Sequence, residues 1–387
     1  MTNTFELDNQ YVANTYARFP VEIVEGKGAL LKDIDSNEYI DLGSGIAVNT
    51  FGMSDEEWVN AVTKQLNTFQ HTSNLYYTRP CAQLAQMICQ RTGMKKVFFG
   101  NSGAEANECA IKVARKYGFE HKGAEYYNIV TLKNSFHGRT ITTLAATGQD
   151  VFHSQFLPLT EGFVYAEANN IEDVTAKVKE NKVCAIMFET VQGEGGVIPL
   201  TDEFVAAIKK LADDEDILLI SDEVQTGNGR TGKLYGYMHY GITPDIFTTA
   251  KGLGGGLPIG ACVLGEKVAN VLKSSDHGST FGGNPVACAG AISILSRVDD
   301  ALLEEVEKKS ARIFDRLSKA EGVVSVTGKG LMIGIETEKA AGDIAKECLQ
   351  KGLLVLTAKT KVRLLPPLNI TWEQLEKALD IIENACK

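Results

Sequence analysis

The feature that most constrains this chain is a series of short apolar, β-rich runs that end abruptly in glycine or charged residues and are mostly separated by amphipathic helical stretches. The runs are KVFF (96–99), YNIVTL (127–132), VCAIMF (183–188), ILLIS (217–221), IFTT (246–249) and ACVLG (261–265). Between two of them, EFVAAIKKLADDE sets Phe204, Ile208 and Leu211 on one helical face. Strands apolar on both faces and alternating with helices imply a mostly parallel sheet covered on both sides, the α/β class. Ligands of such sheets bind outside the carboxyl ends of the strands. The segments that follow the runs are therefore the candidates for function: GNSGAE, KNSFHGR, ETVQGEGG, DEVQ and AKGLGGG.

After about residue 296 the pattern changes to a long charged helix, short strands and a closing helix, WEQLEKALDIIENA. Three units are expected: an N-terminal segment (1–50) that joins a small domain, a large domain (51–296), and the small C-terminal α+β domain (297–387). Acidic residues outnumber basic ones 49 to 39, with no basic stripe, which argues against nucleic acid or an anionic membrane as partner. The start, MTNTFELDNQ, lacks a basic region followed by an apolar one, and no apolar run reaches the ~18 residues of a membrane span. A cytoplasmic location is expected. The eight cysteines form no CxxC pair and the six histidines no HxxxH or HExxH pattern, so they read as reduced core residues and as structural residues, and no metal is expected.

GNSGAEANECAIKVARKY reads as the start of a helix. Ser102 and Glu105 fit a capping box, and Ala106, Ala110, Val113 and Tyr117 make the apolar stripe. The free N–H groups beside Gly100 and Gly103 form an anion site. Neither GxGxxG nor GxxxxGKS is present, so dinucleotides and nucleoside triphosphates fit poorly. In SDEVQTGNGRTG, Asp222 and Glu223 stand at the end of a buried strand; one of them should face the site, since neighbours on a strand point opposite ways. PDIFTTAKGLGGG brings Lys251 to the same rim after one strand-helix-strand unit. Small residues around that lysine leave room for a bulky planar group, and a walled pocket lets the amine lose its charge. A phosphate cradle, a strand-end Asp and a buried Lys are together what pyridoxal 5'-phosphate needs. Read from residues alone, a sheet protein binding some other phosphate stays open.

Together these segments make the chain similar to the class III, or ω-type, aminotransferases of the fold type I group. The likeness runs nearly end to end through YARFPVEIVEGKGALLKDIDSNEYIDLGSGIAVN, NSGAEANE, SFHGRT, VQGEGGV, DEVQTGNGRTGKLY, AKGLGGGLPIGA, HGSTFGGNPVACA and RLLPPLNIT. Within the class, SNLYYT, GIAVN and HGSTFGGNP most resemble the acetylornithine aminotransferases of arginine biosynthesis. The resemblance implies a homodimer that runs a ping-pong transfer from an amino donor to 2-oxoglutarate. Other donors stay open, among them ornithine, succinylornithine and 4-aminobutyrate, as does a non-catalytic cofactor-binding protein on the same scaffold.

The resemblance also implies roles. Lys251 would hold the cofactor covalently and Asp222 would pair with its pyridine nitrogen. Ser102, Gly103 and Ala104 would hold the phosphate, and Thr280 would reach the phosphate in the neighbouring subunit. Phe136 would stack on one ring face, Val224 would pack on the other, and Gln225 would bond the ring hydroxyl; Glu223 is counted with them as cofactor-binding. Arg139, Glu194, Ser279 and Arg363 would meet substrate. Arg139 would take the distal carboxylate in both half-reactions and Arg363 the proximal carboxylate of 2-oxoglutarate, with Glu194 neutralising Arg363 when the donor is bound. Arg230 reads as structural and Glu189 as a residue behind the site. The chain departs from its relatives in two places: GMSDEEW replaces a Gly-His-x-His-Pro turn, and Thr190 replaces a proline.

Overall fold

The computed structural model describes residues 3–387; Met1 and Thr2, the first two residues of the 1–50 segment, lie outside it. Its centre is a seven-stranded sheet of β1 (Lys96–Gly100), β2 (Asn128–Leu132), β3 (Phe163–Ala166), β4 (Val183–Phe188), β5 (Leu218–Asp222), β6 (Ile246–Thr249) and β7 (Gly260–Leu264). The spatial order is β1-β7-β6-β5-β4-β2-β3. Strand β7 pairs antiparallel with both its neighbours, and every other pairing is parallel. The mostly parallel sheet is thus present. Its last run, ACVLG, points against the rest, and β3 arises in FVYA, which the apolar runs did not mark.

Helix α1 (Gly103–His121) covers one face of the sheet, packing Cys109, Ile111 and Ala114 on Ala185, Leu218 and Ile220. The other face carries the helix Asp202–Asp214, whose Phe204, Val205 and Ile208 meet Val130, Ile186 and Leu219. Strand β5 is therefore apolar all along because helices bury both of its sides. Leu218 and Ile220 face α1 while Leu219 faces away, and that alternation sets the direction of Asp222.

The C-terminal strands Val323–Lys329, Met332–Thr337, Leu356–Ala358 and Lys361–Leu364 form a separate antiparallel sheet. Leu353–Leu354 pairs instead with Glu38–Asp41 of the N-terminal strands, matching Leu353 to Ile40. Ala29, Ile40 and Leu42 share one core with Ile344, Leu353 and Leu379, so the two chain ends fold on each other. The altered turn at GMSDEEW is tied into this arrangement. Met53 bridges to Gly28, and Asp55 caps the helix Glu56–Leu66 while pairing with Arg297 at 2.7 Å.

Candidate active site

Neighbouring strands β5 and β6 bring the two central residues together. Asp222 lies level with Thr248 in the parallel register, and Lys251 follows three residues beyond Thr248. Both line one cavity of about 440 Å³ at the carboxyl ends of the strands. Lys251 has φ +45°, in the left-handed region where a side chain costs roughly 1–3 kcal/mol. Its turn is held from three sides. Asn228 donates to the Ala250 carbonyl, Thr50 to that of Gly252 at 2.8 Å, and Trp58 to that of Gly254 at 3.0 Å. Burial draws the lysine ammonium down to about 8, even though Glu194 pulls the other way.

Asp222 is 3% exposed. Its Oδ2 accepts from Asn107 Nδ2 and contacts His137 Nδ1, each at 2.8 Å, and its Oδ1 accepts from the Val224 N–H at 3.0 Å. Asn107, on α1, is oriented in turn by Thr248, whose hydroxyl donates to its Oδ1 at 2.6 Å. These contacts leave one lone pair of Oδ1 for a further donor. The buried His137 Nε2 has no partner among the described residues.

The other end of the cavity is the start of α1. Ser102 Oγ accepts the Glu105 N–H at 3.2 Å, while the Glu105 carboxylate turns back to the backbone of Asn101, one residue short of the expected capping box. First-turn N–H groups at Gly103 and Ala104 have no carbonyl one turn back to accept them, so they remain for an anion. Gly103 is required by packing: a Cβ there would lie 2.7 Å from Val224 Cγ1. Phe136 and Val224 line the space between cradle and carboxylate. A cavity with free N–H groups at one end, a carboxylate with an open lone pair at the other, and an aromatic ring and a lysine between them fits a planar, phosphate-bearing pyridine aldehyde.

Beyond Asp222, Gln225 joins the cavity to an ion pair between a buried arginine and a half-buried glutamate. Arg363, 3% exposed, donates from Nη1 to Glu194 at 2.6 Å and to Gln225 Oε1 at 3.3 Å, while its Nε has no partner among the described residues. Burial pushes the Glu194 carboxyl up, but the Arg363 guanidinium outweighs it and holds the group below its ordinary range. At the opposite lip the exposed Arg139 lies over the rings of Phe152 and Phe136, at 4.5 and 5.6 Å from their centroids. Glu189 lines the same cavity and accepts the Phe136 N–H at 3.0 Å. Burial, with the Asp222 charge added, pushes its carboxyl well above the usual range.

One cavity therefore collects Ser102, Gly103, Ala104, Phe136, Arg139, Asp222, Val224, Gln225 and Lys251, with Glu194 and Arg363 behind Gln225. Glu223 is a correction. It points to the other face of β5, where its carboxylate accepts from Ser221, Thr226 and the N–H groups of Gly236 and Tyr237, with no capacity left for a cofactor. A single chain does not bring Ser279 or Thr280 to the cavity either. They line a second depression of about 500 Å³ across Asn101, and Ser279 Oγ is engaged by Asn101 and the Gly282 N–H. Asn107 and His137 were missed, and Glu189 stands nearer than expected. Asn107 carried a signal, being a polar residue on the buried side of an amphipathic helix.

The sequence matches the family described as "Aminotransferase class-III" over residues 11–386. It is 49% identical to the acetylornithine aminotransferase of Haemophilus ducreyi, over 97% of this chain and 96% of that one. Among solved structures, the ornithine aminotransferase of Toxoplasma gondii superposes with a TM-score of 0.94 at 32% identity, covering 99% of this chain and 94% of the other. The N-acetylornithine aminotransferase of Stenotrophomonas maltophilia gives 0.86 at 34% identity, covering 98% of each.

Proposed function

The chain belongs to the class-III aminotransferases, with their fold type I architecture, and from that premise we propose that it moves the δ-amino group of N2-acetylornithine to 2-oxoglutarate in arginine biosynthesis. The observation that carries the reading is the pairing of Lys251 and Asp222 at adjoining strand ends of one cavity. Pyridoxal 5'-phosphate, when bound, supplies an aldehyde carbon for the amine and an electron-poor ring for the electron pair left when a C–H bond breaks.

The chain's own residues do the rest. The N–H groups of Gly103 and Ala104, with Ser102, bind the phosphate, and Phe136 and Val224 hold the ring between them. Asp222 offers its open lone pair to the ring nitrogen and keeps a proton there by charge. Gln225 bonds the ring hydroxyl. Lys251, the one amine among the described residues that line the cavity, would hold the cofactor's aldehyde and, when free, its amine would move the proton taken from the substrate carbon. Arg139, with no carboxylate partner of its own among the described residues, takes the distal carboxylate of either substrate. Arg363 takes the proximal carboxylate of 2-oxoglutarate after Glu194 has moved off it, and Glu194 returns when the uncharged stretch of the donor lies there.

The working unit in this proposal is a homodimer in which Thr280, and with it Ser279, complete the partner's site. Supporting this, Leu75, Tyr76, Tyr77 and Phe281 are more than half exposed beside that loop, an apolar surface that a lone protomer leaves to water. The division at 1–50, 51–296 and 297–387 and a cytoplasmic setting belong to the same reading. No helix of the described residues is long and apolar enough to cross a membrane. The test is glutamate formation from 2-oxoglutarate with acetylornithine, succinylornithine, ornithine and 4-aminobutyrate. The highest kcat/KM is expected with acetylornithine. A higher value for another donor overturns the donor assignment, and no glutamate from any of them overturns the transfer itself.

A further inference from the structure

Arg230 lies in the turn that follows β5, after Asn228 at φ +58° and Gly229 at φ +87°, and only 3% of it is exposed. No carboxylate neutralises it among the described residues. Burial alone shifts its guanidinium, down to about 9. A buried charge without a counter-ion is costly, and an apolar side chain of similar size would fill the space at less cost. What an apolar side chain lacks is the fork of donors. Arg230 Nη1 donates to the carbonyls of Leu331 at 3.1 Å and Pro366 at 2.6 Å, while the Arg230 carbonyl accepts the Leu331 N–H at 2.9 Å.

Those two carbonyls belong to adjoining strands of the C-terminal sheet. Leu331 precedes Met332–Thr337 and Pro366 follows Lys361–Leu364, and the register pairs Ile333 with Leu364 and Gly334 with Arg363. Arg230 thus grips both strands at the end next to Arg363. The fit has no slack, because a side chain at Gly330 would collide with the backbone of Thr231 and one at Gly229 would lie 2.9 Å from Leu368 Cδ1. The segment that bears Arg230 also bears Gln225, which meets Arg363 at 3.3 Å and Glu194 at 3.4 Å. The Arg363 strand is therefore tied to the cofactor loop at two levels, a fixed one through Arg230 and an exchangeable one through Gln225 and Glu194.

We infer that Arg230 is a positioning residue for the acceptor half-reaction: it fixes where Arg363 stands, so that Glu194 can leave without the strand moving. This rests on the reading that Arg363 receives the proximal carboxylate of 2-oxoglutarate and glutamate. Losing a charged hydrogen-bonding anchor is expected to raise half-saturation by about tenfold for the substrate that uses Arg363, and to change that of the other by less than about twofold.

The experiment is single-turnover kinetics of the holoenzyme with glutamate and, separately, acetylornithine, comparing wild type with Arg230→Met, Arg230→Lys and Arg363→Lys. Half-saturation for glutamate should rise in Arg230→Met with that for acetylornithine nearly unchanged, and Arg230→Lys should fall between. The ratio of the two constants does not depend on the folded fraction, so a loss of stability alone leaves it unmoved. If Arg230→Met does not fold, Arg230→Lys is read in its place. An unshifted ratio at position 230 with a shifted one in Arg363→Lys overturns this inference alone. An unshifted ratio in Arg363→Lys overturns the assignment of Arg363 beneath it.

Discussion

Replacing Gly103 with alanine adds one methyl group where the cavity has no room for it. The new Cβ would stand 2.7 and 2.9 Å from the two methyl carbons of Val224, about 1 Å inside ordinary carbon contact. Valine is stiff at χ1 and cannot turn aside cheaply, so its side chain or the start of α1 must shift. Overpacking of this kind costs about 1–3 kcal/mol. Without cofactor, the backbone that carries Val224 can shift into the open cavity with χ1 unchanged, and alanine is a better helix former than glycine, so the apoprotein should lose little. With cofactor, the same displacement narrows the slot for the ring. Gly103→Ala should therefore weaken retention of pyridoxal phosphate by about 5- to 150-fold while leaving the apoprotein Tm within a few degrees. Absorbance titration of stripped protein gives the first quantity and thermal unfolding of the apoprotein the second. An unchanged cofactor Kd, or a fall in apoprotein Tm as large as that of the holoprotein, would refute the reasoning.

Three further outcomes are expected. Glu194→Gln leaves Arg363 with only neutral partners, so single-turnover rates with acetylornithine should fall about 10- to 100-fold relative to those with glutamate, which brings its own carboxylate; equal losses would remove the switching role. Asp222→Asn keeps the phosphate cradle but loses the charge that holds the ring proton, and turnover should drop at least about 100-fold with cofactor content near normal by absorbance; near-wild-type turnover counts against the assignment. Cofactor capture by stripped protein requires the neutral Lys251 amine. Because burial lowers this group, the neutral form prevails above about pH 8, and the capture rate should climb toward that pH and level off beyond it, whereas a midpoint near the ordinary lysine value would contradict the burial seen here.

Asp222 and Lys251 were legible in the sequence because buried strands are uniformly apolar and a charge at the end of one stands out. Glu189 ends β4 in the same way, yet nothing local separates a carboxyl that lines the cavity from one behind it. Counting Glu223 beside Asp222 disregarded the period-two alternation, which allows only one of them to face α1. The direction of β7 left no trace in ACVLG, since local composition carries no sign of parallel or antiparallel pairing. Strand β3 has only four residues and is incompletely buried, too short and too mixed to signal itself. Asn107 stood out as a lone amide on the helical face of Ala110, Ile111 and Ala114, but nothing local names the partner that such a buried amide meets.

The reversed strand β7 also bears on how this enzyme can be remodelled. Thr249 and Ala261 are partners across the β6 and β7 ladder, so the chain leaves the rim at Ala250 and is back beside its point of departure by Gly260. The lysine thus rides on a closed excursion pinned at both feet and, through Asn228, Thr50 and Trp58, along its length. Lengthening the excursion cannot be absorbed by a free end. Changes of substrate are therefore more readily accommodated in the segments around Phe136, Glu194 and Ser279, which can vary while the amine keeps its address.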